Sequence, residues 1–291
     1  MTTVHVPVLA AETLELLDIQ PGATVVDGTL GGGGHTRLLA ERVGSAGQVI
    51  STDRDPAAVA AAANSLAGLP LMVVQSNFCE LPSVLQQLEL PGVDAILLDL
   101  GLSSDQLSDA ERGFSFDSEG DFDLRFDPEQ GEPAWSLLGR LRAEELADII
   151  YQYGEERLSR RIARKIVEVR RQRSLRTAAE VADLVRSCVP RSRGHKIDPA
   201  TRTFQAFRIA VNSELESLEI ALRKFPDCLN PGGRLGIISF HSLEDRRVKH
   251  AFRDDPRWER VTRKPVRPTE EEQRINPRSR SARFRVAKRA G

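Results

Sequence analysis

What this chain has little of is cysteine, net charge and uninterrupted apolar sequence. Its three cysteines, Cys79, Cys188 and Cys228, are scattered through 291 residues. That number and spacing exclude a disulfide framework and a cysteine-based zinc site. The five histidines are scattered too, so no metal is expected, and the cysteine usage suits a reducing cytoplasm. No apolar run approaches the roughly 20 residues of a bilayer span. The opening MTTVHVPVLAAE has neither the basic start nor the apolar core of a secretory signal. With 40% hydrophobic and 29% charged residues, the composition is that of a soluble globular protein, neither disordered nor membrane-embedded.

The formal net charge of −1 hides a strong asymmetry. Residues 1–156 carry 7 Lys/Arg against 26 Asp/Glu, whereas residues 157–208 carry 15 against 4. Residues 209–245 carry 3 against 6, and residues 246–291 carry 16 against 6. Two basic blocks on an otherwise acidic chain point to a polyanionic partner, nucleic acid above all. The alternative is two solvated element faces.

What the chain does have is order in its first hundred residues. TVVDGT, QVISTD, LMVVQS and VDAILLDL read as four strands. Helical segments lie between them, at Gly34 to Val43, in PAAVAAAANSLAG and from Glu80 to Leu90. Continuous apolar strands alternating with helices predict an α/β fold with a parallel sheet covered on both faces. The pattern breaks at residues 101–135, rich in Gly, Ser, Asp and Phe, where a long loop marks function or a boundary. Residues 143–188 read as helical, with Thr177 and Glu180 as a capping box for a further helix closed by Pro190. DPATRTFQAFRIAVNSELESLEIALRKF repeats apolar residues at helical spacing and reads as one long helix. GGRLGIISFH restores the sheet as strand five, and RWERVT with ARFRVAKR suggests a final antiparallel pair with a basic face. The expected organisation is a first sheet segment at 1–104, a helical insertion at 105–205 and a second sheet segment with a basic tail at 206–291.

Strand one ends in Asp27, and four glycines follow before a helix. A strand, a glycine loop and a helix open a nucleotide-type binding fold. A dinucleotide and S-adenosylmethionine both suit that opening. Asp27, Asp53 and Asp99 all fall at strand C-terminal ends, where open α/β sheets bind ligands. Carboxylates repel a diphosphate and attract a sulfonium and an ammonium, which favours S-adenosylmethionine over a nicotinamide cofactor.

The motifs HVPVLAAETLELL, VDGTLGGGGHT, DRDP, LDLGLSS, RGFSF, ATRTFQAFRIAVNSELESLE, ISFHSLEDRRVK and NPRSRSARFRVAKR occur in this order from His5 to Arg289. In them the chain closely resembles the ribosomal RNA small subunit methyltransferase H family, formerly called MraW. The resemblance implies a Rossmann-like class I S-adenosylmethionine methyltransferase sheet with an inserted helical domain for substrate recognition. It implies methylation of the exocyclic N4 of a decoding-centre cytosine in 16S rRNA of the small ribosomal subunit. Donor contacts then fall on Gly33, Gly34, His35, Asp53 at the ribose, Phe78 near the adenine, Asp99 and Gln106. Two departures stand out: Asp105 replaces the family's usual proline before Gln106, and DLRFD at Asp123–Asp127 replaces DMRMD. Oligomeric state stays open, a homodimer included.

Cytosine N4 is a poor nucleophile because its lone pair conjugates with the ring. Acceptors for its N–H groups are expected just past strand four, from Asp99 to Ser104, and Asp99 and His241 are the candidate catalytic residues. Methylation at cytosine C5 generally needs a cysteine nucleophile, and none lies near the end of strand four. His241 could accept a proton, or its segment could simply cap the next helix. Asn212 reads as structural. Phe114 and Phe116 could stack on a flipped base or anchor their loop. Candidate phosphate contacts are the basic stretch Arg157 to Arg173, Arg202, and Arg278, Arg280, Arg283 and Arg285. The alternating acids Asp117, Glu119, Asp121 and Asp123 lack the glycine and glutamate of a calcium loop and read as a solvated acidic loop. A catalytically silent RNA-binding protein remains the third reading.

Overall fold

The computed structural model describes residues 7–189 and 198–291. The chain divides into two compact units, one built from residues 1–103 and 215–291 and the other from 104–214.

The first unit holds α1 (Ala10–Leu17), β1 (Thr24–Asp27), α2 (Gly34–Val43), β2 (Gln48–Asp53), α3 (Pro56–Ser65), β3 (Leu71–Gln75), α4 (Leu81–Gln87) and β4 (Val93–Asp99). The insertion holds α5 (Ser104–Ser108), α6 (Ala134–Arg140), α7 (Ala143–Gly154), α8 (Ser159–Arg170), α9 (Ala178–Cys188) and α10 (Thr201–Asn212). The chain returns through α11 (Glu214–Cys228), β5 (Leu229–Ser239), α12 (Ser242–Asp254), β6 (Trp258–Arg260), α13 (Glu270–Ile275) and β7 (Arg283–Arg289). The seven strands form one sheet in the order β3-β2-β1-β4-β5-β7-β6. Its first five members are parallel, and β7 runs antiparallel between β5 and β6. This is a Rossmann-like doubly wound sheet with one antiparallel strand near its end. Strand order reverses between β1 and β4, and ligands of open sheets sit at that switch, beyond the strand C-termini. Apolar side chains cover both faces: Val26, Ile96, Leu98 and Ile237 belong to one core, Val25, Ala95, Leu97 and Ile238 to the other. Among the described residues no helix is long and apolar enough to cross a membrane.

The helical stretch at 143–188 divides into three helices, the last capped as expected: Thr177 Oγ1 accepts from the Glu180 amide at 3.3 Å and Glu180 Oε2 from the Thr177 amide at 3.1 Å. Pro190 lies outside the described residues. Two expectations change. The long amphipathic helix is two, α10 and α11, because Ser213 takes a left-handed φ of 50° between them. Apolar periodicity carries across that break, so pattern alone misses it; the division between the units falls beside it, at 214/215. Finally, β7 has no free basic face. Arg285 is buried, its guanidinium 2.7 Å from Asp245 of α12, with Arg283 at 3.2 Å from the same carboxylate. Those two arginines anchor α12 to the sheet.

The insertion has its own core. Phe122 meets Phe204 and Phe207 edge-on, Phe116 meets Phe204, and Phe114 stacks near Phe126 at 6.1 Å. Phe114 and Phe116 therefore anchor their segment. Asn212 is buried and structural: its Oδ1 accepts from the Phe126 amide at 2.8 Å, and its Nδ2 donates to Leu124 at 2.7 Å and Arg208 at 2.9 Å. It holds Leu124 in a left-handed turn of φ 63°. The acidic stretch is not all solvated, because Asp121 pairs with Arg176 and Asp123 with Arg125.

Candidate active site

The sheet's carboxyl edge gathers the chemistry of the first unit. After β1 the chain crosses to its neighbours: the Gly28 amide donates to Leu97 at 2.9 Å and the Leu30 amide to Thr52 at 2.9 Å. A Cβ at Gly28 would collide with Leu98 and come within 3.0 Å of the Phe78 Cβ. A side chain there would force Leu98 to move, and Phe78 lies directly beside the loop. Gly31 and Gly33 adopt left-handed φ values of 46° and 75°, conformations that cost other residues strain. Gly33 leads into α2 without a side-chain cap. The helix N-terminus thus offers its first amides and positive dipole end to a ligand.

Asp27 differs from its expected part. It is fully buried, accepting from Thr36 Oγ1 at 2.6 Å and from the Thr29 amide at 3.1 Å. Thr36 Oγ1 lies 3.0 Å from Ser51 Oγ. The carboxylate therefore braces β1, β2 and α2 from inside, and it reaches a ligand through its field alone. Burial pushes its pKa up from 3.8 to about 6.

Asp53 closes the loop from the side. Its Oδ2 accepts from the Gly31 amide at 2.8 Å and its Oδ1 from the Asp55 amide at 2.9 Å. Burial raises its pKa against those bonds. Each oxygen keeps acceptor capacity for a hydroxyl. Asp55 is the N-cap of α3, accepting from the Ala57 amide.

Asp99 ends β4, its amide tied to Thr29 Oγ1 at 2.7 Å. Its Oδ2 lies 3.5 Å from His35 Nε2, in the first turn of α2. Its Oδ1 is buried and has no hydrogen-bond partner among the described residues. Burial lifts this carboxyl well above the usual range, and the charges of Asp27 and Glu244 lift it further.

Glu244 is the member that residue-by-residue reading missed, although the spacing His241-x-x-Glu244 is a capping signature. Its Oε2 accepts from the Phe240 amide at 2.8 Å and the His241 amide at 3.3 Å. Its Oε1 lies 3.1 Å from His241 Nε2. The distance is that of an ion pair, and neither ring nitrogen makes a hydrogen bond among the described residues. The segment thus caps α12, as the blander reading held, with its ring and carboxylate at the same sheet edge. Gly33, Gly34, His35, Asp53, Phe78, Asp99 and His241 all belong to the first unit. Gln106 belongs to the insertion, buried on α5.

The sequence matches the MraW methylase family over residues 2–290. The chain belongs to that family. Among its relatives, a ribosomal RNA small subunit methyltransferase H of Rhodopirellula baltica is 51% identical over 299 residues, covering 99% of this chain and 92% of that protein. The protein of the same name from Deinococcus deserti is 49% identical, covering 98% and 93%. Among solved structures, an rRNA methylase from Streptococcus thermophilus aligns over all of both chains at 11% identity and a TM-score of 0.47, a likeness too remote to carry an argument. Membership of the MraW methylase family accounts for the crowding of acids at this edge: the fold is built to bind a methyl donor that carries positive charge.

Proposed function

We propose that this chain transfers a methyl group from S-adenosylmethionine to the exocyclic N4 of a decoding-centre cytosine in 16S rRNA, acting on the small ribosomal subunit in the cytoplasm. The carrying observation is the Asp99 carboxylate, half-free at the sheet's switch point and pressed by neighbouring negative charge. A cation beside it relieves that repulsion, whereas a diphosphate would add to it.

The residues fit the donor. Gly33, Gly34 and His35 at the bare start of α2 would hold its amino-acid end, Asp53 its ribose hydroxyls, and Phe78 its adenine. When bound, the donor supplies an electrophilic methyl on a sulfonium, so the protein's task is alignment. Asp99 Oδ1 is the acceptor available to orient an N4–H. His35, beside Oδ2, keeps that carboxyl from turning away. His241, whose Nε2 lies 3.1 Å from Glu244 Oε1, is the proton acceptor. The insertion serves substrate recognition.

The test is nucleoside mass spectrometry of 16S rRNA from a strain lacking its own enzyme and carrying this gene. N4-methylcytidine is expected with the wild type and lost with Asp99→Asn. Recovery of 5-methylcytidine instead, or of no methylated cytidine with the wild type, rejects the assignment.

A further inference from the structure

We propose that the outer face of α8 grips the phosphate backbone of the RNA substrate, and that Tyr151 stacks on one of its bases. This rests on the reading of the substrate as RNA and names the surface that holds it.

The insertion carries many arginines, and the structure sorts them. Arg170 donates to the carbonyls of Leu138 and Leu141 at 2.7 and 2.6 Å. Arg173 pairs with Glu180, Arg176 with Asp121 and Arg186 with Asp198. Those four serve the fold. Arg157, Arg160, Arg161 and Arg164 are exposed and meet no carboxylate among the described residues. Arg164 Nε donates to the Arg160 carbonyl at 3.2 Å, and its side chain is exposed.

Their placement follows from the helix. Ile162, Ala163 and Ile166 are the buried side of α8. Positions 160, 161 and 164 recur at three- and four-residue intervals on the opposite side, and Arg157 lies in the turn just before the helix. Like charges so spaced repel and weaken a helix; none of the four makes an ion pair among the described residues, and Glu168, one turn past Arg164, pairs with Lys165. The missing counter-charge fits an external polyanion. Arg160 and Arg164 stand roughly 6 Å apart along the axis, a spacing from which guanidiniums reach successive phosphates. The second observation is Tyr151, in the last turn of α7 just before this stretch and 61% exposed. In a chain with 5% aromatic residues and two tyrosines, an outward ring six residues before the first unpaired arginine has the composition of a single-strand platform.

The test uses the full chain and a labelled RNA fragment of the decoding region, with anisotropy read across a salt series. Arg160→Gln with Arg164→Gln should reduce the slope of log affinity against log salt by about 1.4, or about 0.7 for each single-strand phosphate no longer neutralised. KM for methylation of small subunits should rise with kcat unchanged. Arg173→Gln removes one positive charge from the same unit and should leave slope and KM alone. Tyr151→Ala should weaken binding about tenfold without changing the slope. Wild-type slope and KM in the double variant overturn the proposal, as does an equal loss per charge in Arg173→Gln, which would mean net charge alone matters. A wild type that methylates no RNA defeats the proposed function instead, so the two failures are distinguishable.

Discussion

Asp27→Asn tests whether the acids at the sheet edge are held against their own preference. Asp27 is fully buried, with its pKa raised from 3.8 to about 6. The folded state therefore keeps its proton to higher pH than the unfolded chain does. Stability from this group is complete below about pH 4 and is lost as pH rises through about 6. A rise of that size corresponds to about 3 kcal/mol. Asparagine preserves the shape and most bonds: its oxygen still accepts from the Thr29 amide, and its amide can donate to Thr36 Oγ1, freeing that hydroxyl to donate to Ser51. The substitution should thus leave stability nearly unchanged near pH 4 and raise it by about 3 kcal/mol at about pH 8, relative to wild type. The assay is denaturant unfolding of both proteins at several pH values. The difference between them reports Asp27 together with its charge coupling to Asp53 and Asp99, and removes what those two acids contribute on their own in both proteins. A difference that stays flat within about 0.5 kcal/mol over that range refutes the picture of a carboxylate desolvated by burial.

Three other outcomes are expected. Asp53→Ala strips the Gly31 amide of its acceptor and removes the proposed ribose contact; donor affinity by calorimetry should fall about 10- to 100-fold, from bonds to a charged acceptor worth about 1.5–3 kcal/mol, and an unchanged affinity rejects the ribose assignment. Asn212→Ala leaves the Phe126 amide and the Leu124 carbonyl without their partner; about 2–4 kcal/mol of stability should go, with faster proteolysis at residues 105–132. Asp245→Ala strands the buried Arg285 guanidinium, and thermal unfolding should register a loss of about 3–5 kcal/mol; a loss below about 1 kcal/mol would mean water reaches that pair.

The strand–helix alternation up to Asp99 was legible because its signal is local. Apolar runs, glycine turns and capping residues each act within a few positions. The glycine loop was legible for the same reason, since Gly31 and Gly33 need left-handed backbone wherever the sheet places them. The break at Ser213 was not, because α10 and α11 continue one apolar period while serving different units. Nor was the fate of the arginines. Arg285 and Arg164 look alike in sequence, and only the packing of α12 against β7 turns the first inward onto Asp245.

By itself, then, the sequence determined the α/β class, the ligand loop, the acids at the strand ends and, through its motifs, the family. Tertiary structure decided what each acid does. Asp27 became an internal brace, Asp53 a latch on the loop, and Asp99 the carboxyl with an open oxygen. Glu244, distant along the chain, came to press on Asp99. The physical reason is that burial and the field of neighbouring charges depend on distances through space, and those exist only once β1, β2, β4 and α12 meet at one edge.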